Sequence, residues 1–211
     1  MPALLLFLLL LLSPLIVAAD SPFLPETRYV DEAPLFEEVV GHKLGERIST
    51  PAQIRTWFEA LAETWPERIK LVPYATSWQG RELFYAVIGT PERIASLDEI
   101  RADIQIIAHP HRHDSSAVEQ ALARVPGTYW YAATVHGNEI SPSESAMQLA
   151  LHLLAADSDA VVDEILEQSL VFINPVQNPD GLARFIHEFE EALGLEPIAS
   201  RLAAEHDEPW P

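Results

Sequence analysis

The stretch TYWYAATVHGNEISPSES, residues 128–145, passes without a break from an apolar β-type run into a polar turn and then into the start of a helix. Thr128 to Val135 is short, β-branched and aromatic and lacks polar alternation, the pattern of a strand buried on both faces of a sheet. From Pro142 to Leu154, the residues Ala146, Leu149, Ala150, Leu153 and Leu154 recur at helical spacing, and a second helical stretch follows from about Asp159 to Glu167. Ser169 to Asn174, SLVFIN, is the next buried-strand candidate. A strand, two helical stretches and a further strand make a crossover unit whose strands are expected to be parallel and whose connection is right-handed. The predicted fold class is therefore α/β, a mixed, mainly parallel sheet with helices on both faces.

Upstream, Thr50-Pro51 reads as an N-cap and first helical residue, and Ile54, Trp57, Phe58 and Leu61 share one face until Pro66 stops the helix. The segment LVPYATSWQGRELFYAVIGTPE, residues 71–92, places two β-type runs around Gln79-Gly80 and predicts a hairpin. Ser96 and Glu99 form a capping-box pattern ahead of a helix that runs to Ile107 and closes at His109-Pro110. HPHRHDSS, residues 109–116, reads as a polar loop, and residues 20–45, rich in Pro and acidic side chains, as an extended lead-in on the domain surface. The remaining 46–211 form one domain, since a 48% hydrophobic chain of 211 residues supplies a single core of ordinary size.

Thirteen basic residues against 32 acidic ones give a net charge of −19, which repels phosphate backbones and anionic membranes and argues against a nucleic-acid partner. Residues 1–19 carry no charged side chain and end in Val17-Ala18-Ala19, as a secretory signal peptide cleaved before Asp20 does. Pro14 interrupts the run, and a spanning helix needs about twenty apolar residues, so no stable membrane insertion is expected after cleavage. The expected location is secreted or periplasmic; the alternative is a protein anchored through an uncleaved N-terminal segment. With no cysteine, stability has to come from the core or from metal.

In open α/β sheets ligands gather beyond the carboxyl ends of the strands, and His136-Gly-Asn-Glu139 sits at such an end. One imidazole nitrogen and one carboxylate form a donor set that Zn²⁺ accepts, and the glycine between them permits a sharp turn off the strand. The same spacing recurs at His187-Glu-Phe-Glu190, and a close relative at His111-Arg-His-Asp114, where surface pairing along a helix or loop accounts for it. Position at the strand end, not spacing, distinguishes His136 and Glu139.

VHGNEISPSES (135–145) resembles the zinc-ligand signature of the carboxypeptidase A-like metallocarboxypeptidases, and FINPVQNPDGLARF (172–185) resembles their strand and Asn-Pro-Asp-Gly turn. Residues 54–92 are similar to the helix, hairpin and Gly-Arg segment that opens that catalytic domain, so the resemblance spans about residues 50–184 in the right order. It implies Zn²⁺ as cofactor, His136 and Glu139 as its first two ligands, a peptide or protein substrate, and hydrolysis near a C-terminus. Asn138 is expected to hold the turn through backbone hydrogen bonds, and Glu144 to cap or complement the charge of the following helix N-terminus.

The resemblance also implies a third ligand, a His, more than a hundred residues beyond the first pair. His152, His187 and His206 follow Glu139, and none stands in that context; neither Arg184 nor Arg201 can be assigned as the family's oxyanion arginine. No catalytic residue is expected within this chain, the general base falling beyond Pro211. The chain then reads as the N-terminal part of a catalytic domain, its sheet incomplete at the C-terminus and its activity absent in isolation. Two alternatives stay open: a zinc-dependent deacylase of N-acyl amino acids, and a non-catalytic binding module of the same fold.

Overall fold

A computed structural model describes residues 27–194, 198–200 and 202–203; the expected signal peptide at 1–19, Arg201 and His206 lie outside the described residues. The elements run α1 (Phe36–Val40), α2 (Pro51–Thr64), β1 (Ile69–Thr76), β2 (Glu82–Ile88), α3 (Pro91–Ala95), α4 (Leu97–Ala108), α5 (Ser115–Arg124), β3 (Gly127–Ala132), α6 (Ser141–Ala155), α7 (Ala160–Gln168), β4 (Ser169–Asn174) and α8 (Pro179–Ala192).

Local chemistry explains most of these boundaries. Thr50 and Gln53 close a capping box: the Gln53 N–H donates to the Thr50 hydroxyl, and the Thr50 N–H to the Gln53 carboxamide oxygen. Pro51 then opens α2, which buries Ile54, Trp57, Phe58 and Leu61, and the Trp57 indole N–H donates to Met147 O at 3.0 Å, so the ring enters the core with its polar atom satisfied. At α4 the capping box read from Ser96 and Glu99 does not form. Ser96 also ends α3, and its hydroxyl donates back to Glu92 O at 2.8 Å. The segment before α2 carries α1, and Tyr29 forms an antiparallel bridge to Ala156, so it lies against the domain through backbone pairing.

The sheet order is β1-β2-β4-β3. β3 and β4 are parallel, in register from Gly127↔Ser169 to Ala132↔Asn174, as a strand–helix–helix–strand crossover requires. The hairpin adds two antiparallel pairings, β1 with β2 and β2 with β4. The class is mixed α/β as expected, with the balance among the described strands antiparallel and not mainly parallel, because the parallel ladder is confined to the single crossover. A second correction concerns β3. It lies on the sheet edge with Tyr129 and Trp130 each more than half exposed, so the apolar run is not buried on both faces.

Phe84, Ala86, Ile88, Val171 and Ile173 point to one side and form a single core with apolar residues of α2, α6, α7 and α8. The opposite side carries a row of rings: Trp130 stacks on Phe172 at 4.6 Å, Tyr85 leans on both, and Tyr74 lies 6.0 Å from Tyr85. The α5 helix has no counterpart among the elements expected from sequence; it packs beside α4, where Arg124 clamps Asp103 with two hydrogen bonds of 2.8 and 2.6 Å. Among the described residues no helix is long and apolar enough to cross a membrane.

Candidate metal centre

The β3–β4 ladder continues past the last residue of each strand. Ala133 N donates to Asn174 O, Gln177 N to Ala133 O and Asn178 N to Thr134 O, all within 3.1 Å, so the two strand ends stay zipped together as they leave the sheet. The chain then reverses: Glu139 N donates to His136 O at 3.1 Å and closes a tight turn over His136-Gly137-Asn138-Glu139. Closure brings the two predicted ligands to one side, with His136 Nδ1 3.2 Å from Glu139 Oε1 and both side chains more than half exposed. Two donors bound about 2.0–2.2 Å from a tetrahedral zinc stand roughly 3.3–3.6 Å apart, so the pair lies within a few tenths of an ångström of ligand spacing. An exposed i,i+3 ion pair has the same appearance, and among the described residues no group of three or more His, Cys, Asp or Glu is arranged to hold a metal. The residues present therefore fit two positions of a zinc site.

Gly137 is required by contact, not by conformation. Its φ is not positive, unlike those of Gly41, Gly45 and Gly80, but a Cβ at this position would overlap the backbone carbonyl of Gly181. The turn thus lies directly on the first turn of α8, and Gly181 in turn has the Asn178 carboxamide where its own Cβ would be. Asn178 joins the two segments: its Oδ1 accepts from Gly181 N at 2.9 Å, capping α8, while its Nδ2 donates to Val135 O at 3.2 Å. The Asn-Pro-Asp-Gly segment is therefore the bed on which the His136 turn rests.

Thr134, at the foot of that turn, is buried and holds φ +53°. A β-branched residue in the left-handed region costs about 1–3 kcal/mol, which the surrounding contacts have to offset. Its hydroxyl lies 2.9 Å from Glu139 O and 2.7 Å from the hydroxyl of buried Ser143, and Ser143 Oγ lies 2.8 Å from Pro175 O. Sequence reasoning missed Thr134, Ser143 and Asn178. For Asn178 the signal was present, an Asn followed by Pro at the first helical position; for the two hydroxyls no local pattern exists.

Other acidic and basic residues take structural places. Glu144 reaches back to the lead-in and accepts from Gly45 N (2.9 Å), Ser49 N (3.2 Å) and the Ser49 hydroxyl (2.8 Å), so it fastens a loop besides standing in the first turn of α6. Asp180 accepts from the Ser77 hydroxyl, Gln79 N and Arg81, tying the β1–β2 turn to α8. Burial pushes the Asp180 carboxyl up, but the Ser77, Arg81 and Gln79 hydrogen bonds together outweigh it and hold the group below the usual carboxylate value. His152 lies edge-on to Tyr29 with Nε2 3.9 Å from Asp159, and His187 faces Glu191 along α8. Arg184 pairs with Glu188 one turn on.

The family model described as zinc carboxypeptidase matches residues 54–192. Comparison with curated proteins gives no match. Among solved structures the chain is similar to thrombin-activatable fibrinolysis inhibitor, at 12% identity and a TM-score of 0.48 over 72% of this chain and 32% of that one. It is similar also to the carboxypeptidase A of Helicoverpa armigera, at 16% identity and a TM-score of 0.45 over 71% of this chain and 32% of that one. A third is bovine thrombin-activatable fibrinolysis inhibitor in complex with tick carboxypeptidase inhibitor, at 13% identity and a TM-score of 0.39 over 64% of this chain and 33% of that one. The chain spans about a third of the length of these structures. The family match takes in α2, the hairpin, the His136–Glu139 turn and the Asn-Pro-Asp-Gly bed beneath it, and it extends over more than half of the sequence: this protein belongs to the zinc carboxypeptidase family.

Proposed function

We propose that the chain supplies His136 and Glu139 as the first two zinc ligands of a secreted, carboxypeptidase-type hydrolase of peptide or protein substrates. The observation that carries this reading is the approach of His136 Nδ1 and Glu139 Oε1 to 3.2 Å at the carboxyl end of β3, within the family-matched range. When bound, zinc supplies Lewis-acid polarisation of a carbonyl and brings the pKa of a water to about 7. The chain's own part is to present one nitrogen and one carboxylate oxygen on the solvent side of a turn whose backbone is held from below by Gly181 and Asn178. Pre-set spacing spares the ion the work of ordering its ligands.

A catalytic zinc takes three protein ligands. On this reading the third ligand and the general base come from polypeptide outside the described residues. Zinc titration against a chromophoric chelator tests the assignment. His136→Ala and Glu139→Ala should each abolish competition for the ion, and an affinity unchanged in His136→Ala sinks the assignment. Export is tested by N-terminal sequencing of the mature protein, which should begin at Asp20.

A further inference from the structure

We propose that Thr134 is a positioning residue for the zinc pair, acting through the backbone of Glu139; the inference rests on the assignment of His136 and Glu139 as ligands. Thr134 is 2% exposed and adopts φ +53°, a conformation for which glycine is the undemanding choice. A threonine where the backbone alone favours glycine points to the hydroxyl as what the position provides. That hydroxyl lies 2.9 Å from the carbonyl oxygen of the ligand-bearing Glu139 and 2.7 Å from Ser143 Oγ, which itself lies 2.8 Å from Pro175 O.

Each hydroxyl has a single proton to give. Two protons cannot fill three contacts: Thr134 donates to Glu139 O, and Ser143 gives its proton either to Pro175 O or to the Thr134 oxygen. Thr134 is thus the link between the buried Ser143 hydroxyl on α6 and the residue that carries the carboxylate ligand. The two hydroxyls differ in what their loss leaves behind. Without the Ser143 hydroxyl, Thr134 still donates to Glu139 O. Without the Thr134 hydroxyl, Ser143 has Pro175 O as its acceptor, but Glu139 O loses its side-chain donor, and the carboxylate is free to leave its place beside His136.

The test measures zinc affinity by chelator competition for the full chain, with urea unfolding and circular dichroism on the same samples. Thr134→Val, which keeps shape and removes the hydroxyl, should weaken zinc binding by about 10–100-fold, the usual effect of removing a group that orients a ligand. Thr134→Ser should restore wild-type affinity. Ser143→Ala, an equally buried deletion in the same pair, should lower the unfolding midpoint while leaving affinity in place. Equal losses of affinity in Thr134→Val and Ser143→Ala overturn the inference, because the pair then serves only general packing. Wild-type affinity in Thr134→Val, with His136→Ala still abolishing binding, also overturns it and leaves the ligand assignment standing; insensitivity to His136→Ala removes both.

Discussion

Gly137 and Gly181 lie backbone against backbone, one in the turn that carries His136 and Glu139 and the other in the first turn of α8. The contact sets how high the His136 turn rides above the sheet. A methyl group at 137 meets backbone atoms that cannot rotate away, whereas one at 181 meets the Asn178 carboxamide, the end of a side chain that can move aside. Gly137→Ala should therefore cost about 1–3 kcal/mol or more by overpacking and lower zinc affinity with it. Gly181→Ala should cost less and act mainly by disturbing the Asn178 cap. Urea unfolding of both variants checks the order, and a Gly137→Ala protein as stable as wild type would show that the two segments are not in contact.

How far the sequence carried this reading depends on which residues are asked. The α6, α7 and β4 boundaries were legible because the apolar spacing changes period at Ser169 and no competing pattern overlaps it. The edge position of β3 was not, since an apolar run reports what its side chains prefer and not which neighbour lies beside it. The α5 helix was missed because Val118, Ala121 and Leu122 make only a narrow stripe, and the Arg124–Asp103 clamp that pins it reaches across to another helix. At the site, the sequence put His136 and Glu139 together just past a strand, and there the structure has them 3.2 Å apart. The need for Gly137 was not, because its cause is Gly181, far along the chain, and the Thr134–Ser143 pairing exists only once the turn has folded.

Asp180 gives the fold a specific acid sensitivity. Its carboxylate gathers the Ser77 hydroxyl, Gln79 N–H and Arg81 guanidinium and so joins the hairpin turn to α8. Burial opposes the charged form, but the three donors prevail and the group sits below its ordinary value. A depressed carboxylate contributes stability that is fully present above the unfolded value of about 3.9 and is lost as pH falls through the folded value. Asp180→Asn should lower stability at neutral pH by about 1–3 kcal/mol and flatten the decline below about pH 5. Urea midpoints from pH 3 to 8 measure both, and parallel curves for the two proteins would contradict the assignment.

Glu144 lies five residues beyond Glu139, close enough to raise the question of a third ligand, but its oxygens are committed to Gly45 N, Ser49 N and the Ser49 hydroxyl. Its removal should therefore loosen the loop before α2 without touching the metal. Glu144→Ala is expected to speed hydrogen exchange at the Gly45 and Ser49 amides and to cost about 1–3 kcal/mol, as for hydrogen bonds to a charged acceptor. Zinc affinity should match wild type. Loss of zinc binding with unchanged exchange at Gly45 would make Glu144 a ligand instead.

The row Tyr74, Tyr85, Phe172 and Trp130 covers the side of the sheet opposite the main core, and beside it β3, with the uncharged sequence GTYWYA, is an edge strand among the described residues. An uncharged, aromatic edge strand lacks the lysines and prolines that normally discourage strand-to-strand association. Against this works the net charge of −19, which keeps copies apart at low ionic strength. The balance should shift with salt, because screening shortens the repulsion to about 8 Å at 0.15 M while the apolar attraction persists. The chain is expected to bind a hydrophobic dye and to form soluble aggregates that grow with added salt. Trp130→Lys, which places a charge at the centre of the edge and removes the stack on Phe172, should reduce both. Size-exclusion chromatography and dye fluorescence across a salt series provide the measurement; a dye-negative monomer at every salt concentration would mean that this face is covered.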